Sequence, residues 1–191
     1  GRIISGDYGD YILKESGWNN YILYELKEGF EDTTGVEVTI DSYWNHADIA
    51  MNSTHLVFVR LEHRSNELKI NCTERETLNS EIRTVILDDD GYGTHGVVMD
   101  EDYLYVLAWM DSGRYIYTLK TLDFSVIHCY KIEEEDILNP TNLIKKENIL
   151  YTNDGSNLVS FTLGDEGVVT EVLSSIGLVL PPSSEIYRAF P

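Results

Sequence analysis

The chain has 191 residues, of which 42% are apolar, so it can bury a core and is not a disordered tail. Its net charge at pH 7 is −19. This acidic excess excludes direct binding to a nucleic-acid backbone, because such binding needs Lys and Arg to replace released counterions.

Apolar runs of strand length recur along the chain in groups of four, with polar residues between them. The 13 Tyr among only four Pro favour strands, since aromatic side chains suit a pleated surface. The first two groups of strands are predicted at residues 2–5, 11–13, 20–26 and 36–41, and at 47–51, 55–59, 67–71 and 81–87. The next two groups are predicted at 96–99, 102–107, 114–119 and 126–132, and at 142–144, 148–151, 157–161 and 168–173, with a last short strand at 186–189.

Asp, Asn, Ser and Gly separate the second and third strands of each group, as expected of hairpin turns. The groups repeat about every 44 to 47 residues, and four strands per ~45 residues is typical of a propeller blade. Such a blade is apolar on both faces, so blades must stack to bury them. The sequence therefore predicts an all-β fold, a single β-propeller domain over 1–191 with blades near 2–46, 47–95, 96–141 and 142–189. A two-sheet sandwich is the alternative.

The third group carries a resemblance to a known superfamily. Residues 102–107 (Asp-Tyr-Leu-Tyr-Val-Leu), followed by residues 114–121 (Arg-Tyr-Ile-Tyr-Thr-Leu-Lys-Thr), resemble a blade of the WD-repeat and YVTN-like β-propellers. The resemblance implies the fold only. No Trp-Asp dipeptide closes a third strand and no YWTD motif is present, so no binding residues are carried over.

The short first strand is predicted five times and the other three strands four times each. Residues 186–189 either close a four-bladed ring by lying beside residues 11–15, or begin a further blade. Since residues 2–5 already supply a first strand to the first blade, the sequence favours part of a larger propeller. Further blades, a second chain or a second copy would then complete it, because an open stack would expose apolar blade faces.

Aromatic and acidic residues fall together in the loops predicted at one end of the blades. Exposed aromatics supply apolar contact area, and carboxylates select basic partners. The predicted partner-binding residues are Trp18, Tyr43, Trp44, His46, Asp88, Asp89, Asp90, Tyr92, His95 and Asp111.

No stretch of the sequence identifies a reaction. Residues 88–93 are the most metal-like, but they lack the spacing of a calcium-binding loop and are interpreted as a solvated turn. His46 and His95 precede the first strands of two blades, without a third His at the spacing that zinc requires. No hydrolase elbow, phosphate loop or dinucleotide fingerprint is present. No catalytic residue, metal or cofactor is therefore assigned, and an enzyme is the less favoured interpretation.

The main functional hypothesis is a protein-interaction propeller whose acidic, aromatic loops bind a basic peptide or protein. The alternatives are a small-molecule or glycan-handling propeller with a site at the channel mouth, using His46, His95 and residues 88–90, and an acidic mimic of nucleic acid. Cys72 and Cys129 lack CxxC spacing and are interpreted as buried, reduced thiols. Together with the absence of a signal peptide or a long apolar run, they favour a location inside the cell, with secretion left open.

Overall fold

The computed structural model describes residues 2–6, 9–17, 20–26, 36–39, 47–133, 140–154 and 157–177. Within these ranges the chain forms strands, one 3₁₀ turn at Asp165–Gly167 and no α-helix, which confirms the prediction of an all-β protein. No helix in them is long and apolar enough to cross a membrane. The strands are β1 (Arg2–Gly6), β2 (Gly9–Gly17), β3 (Asn20–Leu26), β4 (Val36–Thr39), β5 (Asp48–Met51), β6 (His55–Leu61), β7 (Ser65–Glu74), β8 (Ser80–Met99), β9 (Tyr103–Met110), β10 (Gly113–Lys120), β11 (Val126–Ile132), β12 (Thr141–Lys146), β13 (Ile149–Asn153), β14 (Asn157–Leu163) and β15 (Val169–Gly177).

The strands form three antiparallel sheets. Two of them have four strands each, in the orders β1-β2-β3-β4 and β12-β13-β14-β15. The third has seven strands in the order β11-β10-β9-β8-β7-β6-β5. Within each sheet, every strand pairs with its neighbour in sequence, as in a chain of hairpins. These are not the four separate sheets of a clearly closed four-bladed ring.

Strand β8 joins two four-stranded groups into the seven-stranded sheet. Its residues 80–86 pair with β7, and its residues 91–99 pair with β9. We call β1–β4 unit 1, β5–β7 with residues 80–87 unit 2, residues 91–99 with β9–β11 unit 3, and β12–β15 unit 4.

Gly91 is the residue at which β8 changes partner. It is paired both with Ser65 of β7 and with Met110 of β9. A Cβ at this position would lie 2.4 Å from Leu61 Cδ2 and 2.9 Å from the Trp109 carbonyl oxygen, so only glycine fits. The polar loop predicted between strands at 81–87 and 96–99 is absent, because β8 is continuous over this range, so that prediction is wrong. The absence of a side chain at Gly91 lets one extended strand serve both units.

Unit 3 is buried on both faces. Along β9, Leu104, Val106, Ala108 and Met110 join a core shared with unit 2. The alternate residues Tyr105 and Leu107 join a second core, shared with Leu150 and Phe161 of unit 4. Successive side chains of a strand point to opposite faces. This is why β9 is a nearly continuous apolar run rather than an alternating one.

The same turn recurs between the third and fourth strands of units 2 and 3. Glu74 N–H donates to the Asn79 carbonyl at 2.9 Å, and Lys120 N–H donates to the Ser125 carbonyl at 3.0 Å. Leu78 and Phe124 occupy the same place in the two turns, both with positive φ, of 56° for Phe124 and 60° for Leu78. The sequence repeat is therefore a structural repeat, down to individual backbone hydrogen bonds.

Units 3 and 4 approach each other closely at their first strands. A Cβ on Gly96 would lie 2.5 Å from the Leu143 backbone nitrogen and 2.6 Å from the Asn142 carbonyl carbon. At the other end of the same strands, Lys145 Nζ lies 3.1 Å from Asp100 Oδ2. A backbone approach and an ion pair thus fix how the two units stack.

Strand β1 occupies one edge of β2, with Ile4 opposite Tyr11 and Arg2 opposite Leu13. The other edge of β2 is taken by β3. Residues 186–189 could close the ring only by pairing with residues 11–15, at the edge of β2 that β1 already occupies. Residues 186–189 themselves lie outside the described part of the chain.

Candidate functional site

Three segments meet at one end of units 2 and 3, the end opposite the recurring turns described above. They are the β6–β7 turn, the middle of β8 and the β9–β10 turn. Arg64 N–H donates to the Gly91 carbonyl at 2.7 Å, and Asp111 N–H donates to the Asp90 carbonyl at 2.8 Å. These two backbone hydrogen bonds hold both hairpin turns against β8.

An aromatic cluster lies on this end of the molecule. The Trp109 ring centroid is 5.5 Å from that of Tyr92 and 5.6 Å from that of His95. The His63 ring lies 5.6 Å from Tyr92 on its other side. Trp109 is 36% exposed and Tyr92 43%, which is unusual for side chains of this size. We call His63, Tyr92, His95, Trp109 and Arg114 the Trp109 cluster.

Arg114 covers one face of the Trp109 ring. Trp109 and Arg114 are opposite residues on the paired strands β9 and β10. The guanidinium carbon lies 3.9 Å from the ring centroid, which is a cation–π contact. One face of Trp109 is therefore already occupied by a cation of the chain itself. The rings of Tyr92 and His95 pack against Trp109 as well, so these three rings pack together rather than line a cavity.

Tyr92 carries its hydroxyl beside a carboxylate. A hydrogen bond to Asp111, followed by the negative charge of that residue, raises the pKa of Tyr92 above its ordinary value. Asp111 itself is exposed at the tip of the β9–β10 turn. Asp90 is also exposed, two residues before Tyr92 in β8. An exposed aromatic ring therefore lies next to the Asp111 carboxylate, and the charge of Arg64 also acts on the Tyr92 hydroxyl.

Asp89 has a structural task instead. Its Oδ2 accepts hydrogen bonds from Ser112 N–H at 3.0 Å and from Ser112 Oγ at 2.5 Å. The side-chain hydrogen bond from Ser112, together with the backbone one, holds the pKa of Asp89 below its ordinary value. Asp89 thus links the β9–β10 turn to β8, and its carboxylate already accepts hydrogen bonds from Ser112.

Asp88 lies in a different neighbourhood. Burial raises the pKa of Tyr117, and the neighbouring Cys129 and the charge of Asp88 raise it further. Asp88 is exposed and lies near Tyr117, a member of the core that units 2 and 3 share. Cys129 is exposed on β11 and Cys72 is half-buried on β7, so the expectation that both cysteines are buried was wrong for Cys129 and only partly right for Cys72. The outermost strand of a unit has no further strand to cover it.

His95 is partly buried beside Trp109. Burial lowers the pKa of His95, the nearby Asp48 opposes that shift, and the charge of Arg114 adds to it. The net result is a neutral imidazole at pH 7. Within the residues that the structure describes, no group of three or more His, Cys, Asp and Glu is arranged to hold a metal ion.

The structure brings Asp89, Asp90, Tyr92, His95 and Asp111 to one end of units 2 and 3, although residues 89–95 lie in strand β8 and not in a loop. Trp18, Tyr43, Trp44 and His46 lie outside the described residues. Trp109 was missed because it lies in an apolar run that is typical of a buried strand. Its position near the end of that run, just before the polar turn at 111–113, was the available signal. His63 and Arg114 also lie at this end and are not among the predicted residues.

Three solved structures have a similar fold at low sequence identity. A functionally unknown protein from Desulfotomaculum acetoxidans DSM 771 is 9% identical, with a TM-score of 0.55 over 86% of this chain and 50% of that one. U3-55K, a WD-repeat protein, is 12% identical, with a TM-score of 0.52 over 92% of this chain and 53% of that one. Dipeptidyl peptidase 4 of Porphyromonas gingivalis, which has a propeller domain, is 13% identical, with a TM-score of 0.51 over 90% of this chain and 33% of that one.

The chain therefore spans about half the length of the first two proteins and a third of the last. At these identities the likeness shows a shared fold and nothing of activity or partners. No protein-family model and no curated protein sequence matches the chain.

Proposed function

We propose that the four units are blades of a β-propeller and that this propeller binds a basic peptide or protein at the Trp109 cluster. Two observations support the fold part of the proposal. Unit 3 is packed between two other units through both of its faces, as a blade is. The chain also resembles about half of a WD-repeat protein. Further blades or a second chain would complete the propeller, since β1 holds the edge that ring closure needs.

The observation that carries the functional part is the pairing of Tyr92 with Asp111. Tyr92 is 43% exposed, its ring packs between those of His63 and Trp109, and the Asp111 carboxylate lies near its hydroxyl. A tyrosine ring that packs between two other rings loses little rotamer freedom when a ligand covers it. The exposed carboxylate of Asp111 then lies beside this ring, and the exposed Asp90 is two residues away along β8.

A Lys or Arg side chain of the partner would lie over Tyr92 and reach these carboxylates. The alkyl stem packs on the ring, and the cationic head gains charge-assisted hydrogen bonds. Tyr92 is the better platform, because Arg114 already covers one face of Trp109. The net charge of −19 would raise the rate at which a cationic partner arrives.

The test is binding of fluorescein-labelled peptides that alternate alanine with lysine, with arginine or with glutamate. We expect both basic peptides to bind and the glutamate peptide not to bind. Tyr92→Ser and the pair Asp90→Asn with Asp111→Asn should each weaken the binding by about fivefold or more, because each removes a contact or a charge from the platform. Raising the salt concentration should weaken binding to the wild-type chain markedly.

The pair Asp102→Asn with Glu166→Gln is the matched control. It also removes two exposed carboxylates, but near Tyr103, at the end away from the Trp109 cluster. Equal loss of affinity in this control pair and in the Asp90 and Asp111 pair would show that total charge, and not this site, attracts the peptide. That result would refute the proposed function. Circular dichroism melts of all variants would show that each one is folded.

A further inference from the structure

The outer strand of unit 2 has one open edge. Residues 80–86 of β8 pair with β7 on one side. On the other side, no strand among the described residues pairs with them. The backbone N–H and C=O groups along such an edge are available to another strand, and proteins usually block an edge of this kind with charge, proline or a bulge.

The side chains of this edge do little to block it. Ile82 is 60% exposed and Ile86 61%, on the same side of the strand. Leu78, in the turn just before the strand, is a further exposed apolar residue. The other side carries Glu81 and Arg83, whose carboxylate and guanidinium form an ion pair at 2.8 Å. Within a chain of net charge −19, the segment 80–86 is thus electrically neutral, and its most exposed apolar side chains, Ile82 and Ile86, lie on one side.

We propose that this edge pairs with the same edge of a second copy of the chain, antiparallel and about a two-fold axis. With Ile82 opposite Ile82 of the second copy, Glu81 comes opposite Arg83, and Ile86 comes next to the turn that carries Leu78. In an antiparallel pair, directly opposite side chains touch on the same side of the sheet. This register therefore joins apolar side chains on one side and opposite charges on the other.

The neighbouring registers do not share this match. A shift by one residue places Ile82 opposite a charged residue, because side chains alternate between the two sides. A shift by two residues in either direction keeps matching side chains on the same side of the sheet. It places Glu81 opposite Glu81, or Arg83 opposite Arg83. Like charges directly opposite each other are destabilising. Self-complementarity of this kind is what a two-fold interface requires, and it is the reason to name a second copy as the occupant.

Sedimentation equilibrium over a range of protein concentrations tests the proposal. An edge of seven residues is small, so we expect a weak dimer whose apparent mass doubles as the concentration rises. Adding salt should strengthen this dimer, because it screens the repulsion between two chains of charge −19. Ile82→Lys should give a monomer, and Leu122→Lys, at an exposed turn residue away from this edge, should behave as the wild type does.

Charge exchange tests the register itself. Glu81→Arg alone places two arginines opposite each other, and Arg83→Glu alone places two glutamates opposite each other, so each should associate more weakly than the wild type. A mixture of these two variants, or a single chain carrying both changes, restores opposite charges and should recover association. Association of the wild type without this recovery would overturn the register, and a wild type that stays monomeric at all concentrations would overturn the proposal.

This inference is independent of the proposed function. Tyr92→Ser should leave self-association unchanged, and Ile82→Lys should leave binding of the basic peptides unchanged. The two activities also respond to salt in opposite directions. If the chain remains monomeric but pairs through 80–86 with an extended segment of another protein, the second copy is the wrong occupant and the proposal fails.

Discussion

Replacing Gly96 with alanine tests how units 3 and 4 stack. Gly96 lies in β8, where this strand passes the backbone of β12. The added Cβ would lie 2.5 Å from the Leu143 nitrogen, 2.6 Å from the Asn142 carbonyl carbon and 2.8 Å from the Asn142 Cα. All three atoms belong to the backbone, so no side chain can rotate to make room. The whole of β12 must move away from β8.

Two opposing effects determine how much Gly96→Ala changes the free energy of unfolding. Alanine restricts the unfolded chain more than glycine does, which stabilises the protein by ~0.4–1 kcal/mol where the native backbone tolerates it. Overpacking of a well-packed interior costs ~1–3 kcal/mol, and three backbone contacts place this site at the upper end. We therefore expect the free energy of unfolding to fall by about 2 kcal/mol. For a domain of this size that lowers Tm by roughly 4–8 °C.

Gly164→Ala is the matched control. Its added Cβ would lie 2.9 Å from the Thr170 Cγ2 methyl, and this exposed side chain can rotate only by giving up the hydrogen bond from its Oγ1 to the Thr162 carbonyl. The loss of that bond, ~0.5–1.5 kcal/mol, opposes the gain of ~0.4–1 kcal/mol from the restricted unfolded chain, so we expect a change near zero. Thermal and urea unfolding, followed by circular dichroism, would measure both variants. If Gly96→Ala proved as stable as the wild type and Gly164→Ala, the close approach of units 3 and 4 would be wrong.

Three further predictions concern ionisable groups. Lys145→Ala should lower the free energy of unfolding by about 1–3 kcal/mol, because it leaves the carboxylate of Asp100, 19% exposed, without its partner; a double-mutant cycle with Asp100→Asn in urea would measure the coupling. Burial raises the pKa of the Cys72 thiol to about 11. In a Cys129→Ser background, its alkylation followed by mass spectrometry should be slow at neutral pH and speed up by about tenfold per pH unit below that pKa. Burial lowers the pKa of His95 below 6.5, so protons bind the unfolded state more readily. Its contribution to stability is complete above pH 6.5 and declines below it; an NMR titration should find the low pKa, and His95→Gln should remove this part of the acid sensitivity.

The sequence alone located most of the strands. Runs of apolar residues between polar turns predicted strands close to the observed β3, β5, β6, β10 and β11. The repeat of about 45 residues also predicted the order of four strands per unit. These features are local, because a strand is set by side-chain alternation and its ends by turn residues. The repeat further predicted that units apolar on both faces stack on one another, and unit 3 is indeed covered on both faces.

Only the tertiary structure decided how these strands meet. Gly91 reads as part of a turn after three aspartates, yet the crowding by Leu61 and Met110 makes it the point where one strand serves two units. Asp89 reads as a free carboxylate until Ser112, 23 residues away, is brought against it. Trp109 reads as core until the stacking of units leaves its end of β9 exposed. Spacing along the chain fixes which face of a strand a side chain occupies, but what covers that face depends on contacts between residues distant in sequence.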